Sequence, residues 1–239
     1  MPHRRLPAAL LVCLAACGCS THPIGRSVPV QARGDAAPGG SLRVEIENTM
    51  GSIQLDVDAR ADGPVVQASS LGSGGDGPAP EGWVAAQLDA AASGPVLRVL
   101  AGDPTGSGTP VNLRITVPTA LGVSVRNNGG AVTLIGVNGP LDISNGLATG
   151  RGGKVTVTTS RDLSGPVTIK TRTGDIIFAA GPGTSGRFEL RGARGSTVLA
   201  PAARNSESAG AILRITLGNA DKPFILRADD GAVTVRVGK

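Results

Sequence analysis

One short phrase recurs along this chain: a glycine, a small or polar residue, then an alternating apolar run. It reads Gly130-Ala-Val-Thr-Leu, Gly153-Lys-Val-Thr-Val, Gly165-Pro-Val-Thr-Ile, Gly174-Asp-Ile-Ile-Phe, Gly195-Ser-Thr-Val-Leu and Gly231-Ala-Val-Thr-Val, with an earlier copy at Gly51-Ser-Ile-Gln-Leu. From Gly130 onward the glycines are spaced 23, 12, 9, 21 and 36 residues apart. The two short steps together span about the same length as the 23 and the 21, so a unit of a little over twenty residues repeats. A unit carrying two or three short strands and no helix suits a solenoid of strands, in which each unit buries its apolar face only by stacking on its neighbours. Glycine at the corners allows positive φ or close backbone approach. The expectation is an all-β, right-handed β-helix or β-solenoid, with a β-sandwich of glycine-rich hairpins as the alternative.

The first half supports the same class. Leu42, Val44 and Ile46 alternate with Arg43, Glu45 and Glu47; after Asn48–Gly51, Ile53, Leu55 and Val57 alternate with Gln54, Asp56 and Asp58. Such a period of two puts one row against a core and the other in water. Further strands are expected at 65–68, 84–88, 96–100 and 111–117, and loops at 72–80 and 102–110, where Gly and Pro gather. Gly72-Ser-Gly74-Gly-Asp-Gly77 matches the dinucleotide glycine pattern in form, but Pro78 and Pro80 follow where that chemistry needs a helix N-terminus.

The N-terminus has a different character. Arg4 and Arg5 precede the apolar run Leu6–Ala16, which is too short to span a bilayer. A basic start, an apolar centre and small residues before a cut site make a secretory signal. Leu14-Ala15-Ala16-Cys17 resembles the bacterial lipobox, whose cysteine is acylated and becomes the first mature residue. Residues 1–16 are therefore expected to be a lipoprotein signal peptide, Cys17 the lipidation site and residues 17–40 a flexible tether. The folded domain spans 41–239. Diacylglycerol plus an amide-linked acyl chain suffices for stable membrane anchoring. Gly18, rather than Asp, after the cysteine points to the outer membrane if the organism has two.

Processing at that site would strip the folded part of chemistry. Cys13 and His3 leave with the signal, and Cys17, Cys19 and His22 stay in the tether. The domain then holds no disulfide, thiol nucleophile, histidine base or ordinary zinc site. Its aromatics are one Trp, three Phe and no Tyr, which argues against stacking of sugars on aromatic platforms and against readout of single-stranded nucleic acid. No cofactor and no metal are expected.

The run Leu113-Arg-Ile-Thr-Val-Pro118, then Val123-Ser-Val-Arg-Asn-Asn-Gly-Gly-Ala-Val-Thr-Leu134 and the Gly-x-Val-Thr units, resembles the "putative-adhesin" family of bacterial envelope proteins. The closing Phe224–Val237 and the opening Leu42–Val57 resemble that family's last and first units. The resemblance covers about residues 41–239, except 72–110, and implies a β-helical domain with no agreed catalytic residues.

Two carboxylate pairs, Asp56 with Asp58 and Asp229 with Asp230, are the candidates for glycosidase-like or calcium-assisted chemistry. The first pair reads as a solvated strand face and the second as a turn. Outward Thr156, Thr158, Thr168 and Thr234 suit a strand and form too irregular an array for ice. Charge is more informative. Residues 151–204 carry nine basic and three acidic groups, whereas 17–149 carry seven basic and eleven acidic. The candidate binding surface is Lys154, Lys170 and Arg172 with Arg187 and Arg191. Its expected partner is an anionic envelope polymer or another protein, with the membrane contacted through the N-terminal lipid. The expected function is a lipid-anchored, adhesin-like binding or structural domain without catalysis. The alternatives are a carboxylate-dependent polysaccharide enzyme and a purely structural envelope component.

Overall fold

The computed structural model describes residues 25–33, 42–72, 75–163, 165–200, 203–219 and 221–238. The signal, Cys17, Cys19 and His22 lie outside them. Among the described residues there is no helix. The strands are β1 (Arg26–Val28), β2 (Val30–Arg33), β3 (Arg43–Asn48), β4 (Ile53–Val57), β5 (Val65–Gly72), β6 (Gly75–Pro78) and β7 (Val84–Asp89). They continue as β8 (Val96–Ala101), β9 (Val111–Val117), β10 (Val123–Asn127), β11 (Val132–Ile135), β12 (Leu141–Asn145), β13 (Val155–Thr158) and β14 (Val167–Thr173). The last are β15 (Ile176–Ala180), β16 (Gly186–Gly192), β17 (Ser196–Leu199), β18 (Ala203–Ala209), β19 (Ile212–Leu217), β20 (Pro223–Asp230) and β21 (Val233–Val237).

These strands form two large mixed sheets. The first runs β1-β5-β9-β4-β11-β13-β15-β21-β17, with β6 paired to β5; the second runs β18-β19-β16-β20-β14-β12-β10-β3-β8-β7-β2. From β9 to β17 the chain alternates between them, so β11, β13 and β15 pair in parallel in one sheet and β10, β12 and β14 in the other. This explains the glycine spacing: Gly130, Gly153 and Gly174 lead into the first sheet, whereas Gly165 leads into the second and supplies the short steps. Antiparallel partners close the ends, as in β7–β8 and β16–β19.

Strand order departs from chain order at both ends. The pair β3/β4 sits between β8/β9 and β10/β11, and the pair β20/β21 sits between β14/β15 and β16/β17. Pro223 therefore begins an interior strand, with Lys222 just before it. Pro223 is the first residue of β20, where a missing N–H is tolerated.

Alternation sets the core. Along β9, Val111, Leu113, Ile115 and Val117 are buried, while Asn112, Arg114 and Thr116 point outward. Inward residues from both sheets join one apolar cluster. Its densest point is aromatic: Phe188 and Phe224 stack with centroids 4.2 Å apart, and Phe178 meets each of them edge-on.

Corner glycines stack on one another. A Cβ on Gly130 would lie 2.4 Å from the Gly51 carbonyl oxygen, one on Gly153 2.3 Å from that of Gly130, and one on Gly231 2.0 Å from that of Gly174. No other residue fits such contacts. Beside this column runs a buried polar line in register, Asn48, Asn127, Asn145 and Thr171. Asn127 Nδ2 donates to the carbonyls of Gly129 (2.7 Å) and Gly51 (3.0 Å), and Asn145 Nδ2 to those of Gly130 (2.9 Å) and Gly153 (3.0 Å). Thr171 Oγ1 donates to Gly153 and Thr173. These side chains supply donors to corner carbonyls that turn inward, of which that of Gly129 also accepts the Gly51 N–H at 3.0 Å.

Two expectations are corrected. Residues 26–33, read as part of a tether, form β1 and β2, which pair with β5 and β7 at sheet edges. Edge pairing needs only free backbone groups, so it leaves no apolar pattern to read. The 72–80 stretch is largely strand: β6 returns antiparallel on β5 with Gly72 opposite Gly75. The 102–110 stretch is a loop as expected, and within it Asp103 accepts hydrogen bonds from the hydroxyls of Thr105 and Ser107 and from the backbone of Thr105 and Thr109.

Candidate binding surface

The outer face of the second sheet collects cations from distant parts of the chain. Its register aligns Arg191 (β16), Arg227 (β20), Lys170 (β14), Ser144 (β12), Arg126 (β10), Glu47 (β3), Leu100 (β8) and Ala85 (β7) on one line across the strands. Neighbouring strands are about 4.8 Å apart, so Arg191, Arg227 and Lys170 place three positive charges within about 10 Å. Repulsion between like charges side by side is unfavourable unless a counter-charge arrives.

The predicted residues divide. Lys170, Arg172, Arg187 and Arg191 all lie on the second sheet, whereas Lys154 precedes β13 in the first sheet and belongs to another face. Arg172 and Arg227 both hold Asp229, at 3.1 and 2.6 Å. Arg187 pairs with Asp221 at 3.2 Å, both well exposed. Lys170 and Arg191 have no ion-pair partner among the described residues, and neither does Arg126. Sequence reading missed Arg126 and Arg227, because local charge counts place Arg126 in an acidic segment. Their strand position, on alternating residues facing away from the core, was the available signal.

Three of the four carboxylate candidates, Asp56, Asp58 and Asp229, are occupied. Burial works against ionisation of Asp229, yet hydrogen bonds from Arg227 and Arg172 hold it below the ordinary carboxylate range. Asp229 and Asp230 end strand β20 and are not in a turn. Asp56 accepts from Gln54 Nε2 at 2.8 Å and faces Arg114 at 3.7 Å; Asp58 accepts from the Arg60 backbone. Among the described residues, no group of three or more His, Cys, Asp or Glu could hold a metal ion. On the first sheet, Thr133, Thr156, Thr234 and Thr197 share a register line broken by Ile177, while Thr158 lies one line over and Thr168 is on the second sheet.

A cavity of about 630 Å³ opens on the second sheet, where that line reaches Arg126, Glu47 and Leu100. Trp83 borders it on the side of β7, and Leu147 and Ala148, in the 146–152 loop, on the side of β12. Trp83 also packs against the core, and the Gly102 N–H donates to its carbonyl.

No protein-family model matches the chain, and no curated protein does. Among solved structures, a Clostridium sporogenes ATCC 15579 protein named "putative cell adhesion protein" is similar at 8% identity with a TM-score of 0.47. The similarity covers 89% of this chain and 98% of that one.

Proposed function

We propose that this chain is an exported bacterial lipoprotein, acylated at Cys17, whose β-rich domain is a non-catalytic, adhesin-like module that binds an anionic polymer of the cell envelope. The observation that carries the binding reading is the line of Arg191, Arg227, Lys170 and Arg126, in which three cations lack an ion-pair partner among the described residues. Outward charge held rigidly at strand spacing suits a repeating polyanion. The absence of catalysis is favoured by the engagement of Asp56 and Asp229 with arginines, which leaves neither carboxyl free to shuttle a proton.

For the fold, the finer reading is a β-solenoid whose coils are the strand pairs β10/β11, β12/β13 and β14/β15. In-register parallel pairing and stacked corner glycines favour it over a sandwich of hairpins.

Two measurements test the proposal. Mass spectrometry of the mature N-terminal peptide should find Cys17 carrying diacylglycerol; an unmodified Cys17 removes the anchor. The full chain should be retained on immobilised polygalacturonate, and Lys170→Glu with Arg191→Glu should abolish retention. Unchanged retention would remove those cations from the site, and no retention of the parent protein would favour a purely structural role.

A further inference from the structure

The basic line does not end in open surface. It runs into the 630 Å³ cavity, whose floor carries Arg126, Glu47 and Leu100 on successive strands. Two features there lack an internal purpose. Glu47 and Arg126 are register partners of opposite charge, both exposed, yet they form no ion pair with each other or with any other described residue. Finally, Trp83, the sole tryptophan of the chain, lines this cavity although the core it abuts is built of aliphatics and phenylalanine.

We infer that this cavity is a saccharide-binding site. A sugar ring would stack on Trp83 and pair its hydroxyls with Glu47 and Arg126, and acidic substituents on the following units would lie along Lys170, Arg227 and Arg191. The chemistry fits a polyhydroxylated ligand better than a peptide or a lipid. An indole offers an apolar platform for the C–H face of a sugar. A free carboxylate and a free guanidinium supply acceptors and donors in forked geometry for vicinal hydroxyls. Leu100, 53% exposed on the floor, gives the same mixture of apolar contact and polar fixing. Size agrees as well. Trp83 and Leu147 flank a floor running from β7 to β12, four strand steps or about 19 Å, which is room for a short run of sugar units. The inference rests on the polymer-binding reading and adds the class of ligand and the subsite that selects it.

The test uses Trp83 as its own reporter. A galacturonic acid trisaccharide should change the tryptophan emission of the full chain saturably, and Trp83→Ala or Glu47→Gln should weaken binding by about tenfold in calorimetry. Glu47 is exposed, so its variant keeps the fold. The neutral galactose trisaccharide should bind more weakly and be insensitive to Lys170→Glu. Binding of the acidic trisaccharide with unchanged emission and no effect of Glu47→Gln would overturn the inference and leave the basic surface standing. No binding of either sugar, or of polygalacturonate, would overturn both.

Discussion

Stacked corner glycines allow backbone conformation and backbone contact to be separated by four alanine substitutions. Gly77 has ordinary φ and no atom within 4 Å of a new Cβ, so Gly77→Ala should shift stability by no more than about 0.5 kcal/mol. Gly195 sits at φ +103° with the same open space, so Gly195→Ala meets only the left-handed penalty of about 1–2 kcal/mol. At Gly231 φ is ordinary, but the Cβ would lie 2.0 Å from the Gly174 oxygen. Gly231→Ala must then force apart two hydrogen-bonded strand pairs, a cost of about 1–3 kcal/mol. Gly130 carries both burdens, φ +93° and a 2.4 Å approach to the Gly51 oxygen, so Gly130→Ala should be the most destabilising, at about 2–5 kcal/mol. Urea denaturation midpoints of the full chain give the order. If Gly231→Ala matches the parent protein, neighbouring units do not approach as closely as the stacking argument requires. If Gly195→Ala proves worse than Gly130→Ala, conformation rather than contact governs the corners.

Other consequences follow from the same contacts. Asn127→Ala strands the buried carbonyl of Gly51 and removes one of two donors to that of Gly129, and should cost about 1–3 kcal/mol in urea denaturation, whereas Asn128→Ala, on the half-buried neighbouring position, should cost far less. Phe224→Ala empties the middle of the phenylalanine cluster and should cost about 3–5 kcal/mol by the same measure, with Phe224→Leu recovering most of it. Because Asp229 is held below the ordinary carboxylate pKa, its contribution to stability is present above the unfolded value near 4 and is lost as pH falls through the folded one. Thermal melts between pH 5 and pH 2 should therefore fall more steeply for the parent protein than for Asp229→Asn, and identical slopes would mean that the two arginines do not hold the carboxylate in solution.

Much of this architecture is legible in the residues. The alternation Leu42-Val44-Ile46 and Ile53-Leu55-Val57 marks β3 and β4 with their buried faces, and the glycine phrase marks the entry to several later strands. Alternation tells which side faces the core, but not which strand lies alongside. The insertion of β3/β4 and β20/β21 between other pairs depends on long-range register that no local pattern encodes. The buried asparagine line was readable after all, since Asn48 and Asn127, like Thr171, stand three residues before the corner glycines 51, 130 and 174. The binding surface was legible only in part. Lys170 and Arg191 fall in the basic segment, but Arg126 and Arg227 join them only when the strands are laid side by side, and Lys154 leaves them for the same reason. Trp83 stood out as a rarity; its place beside Glu47 and Arg126 depends on the pairing of β7, β8, β3 and β10.

The most direct measurement is lysine acetylation footprinting of the full chain with and without polygalacturonate. Lys170 lies on the basic line and Lys154 on the other sheet, so each reports on its own face. The account predicts that bound polymer shields Lys170 and leaves Lys154 as reactive as in the free protein. Shielding of Lys154 with Lys170 still reactive, or equal reactivity of both with polymer demonstrably bound, would contradict it.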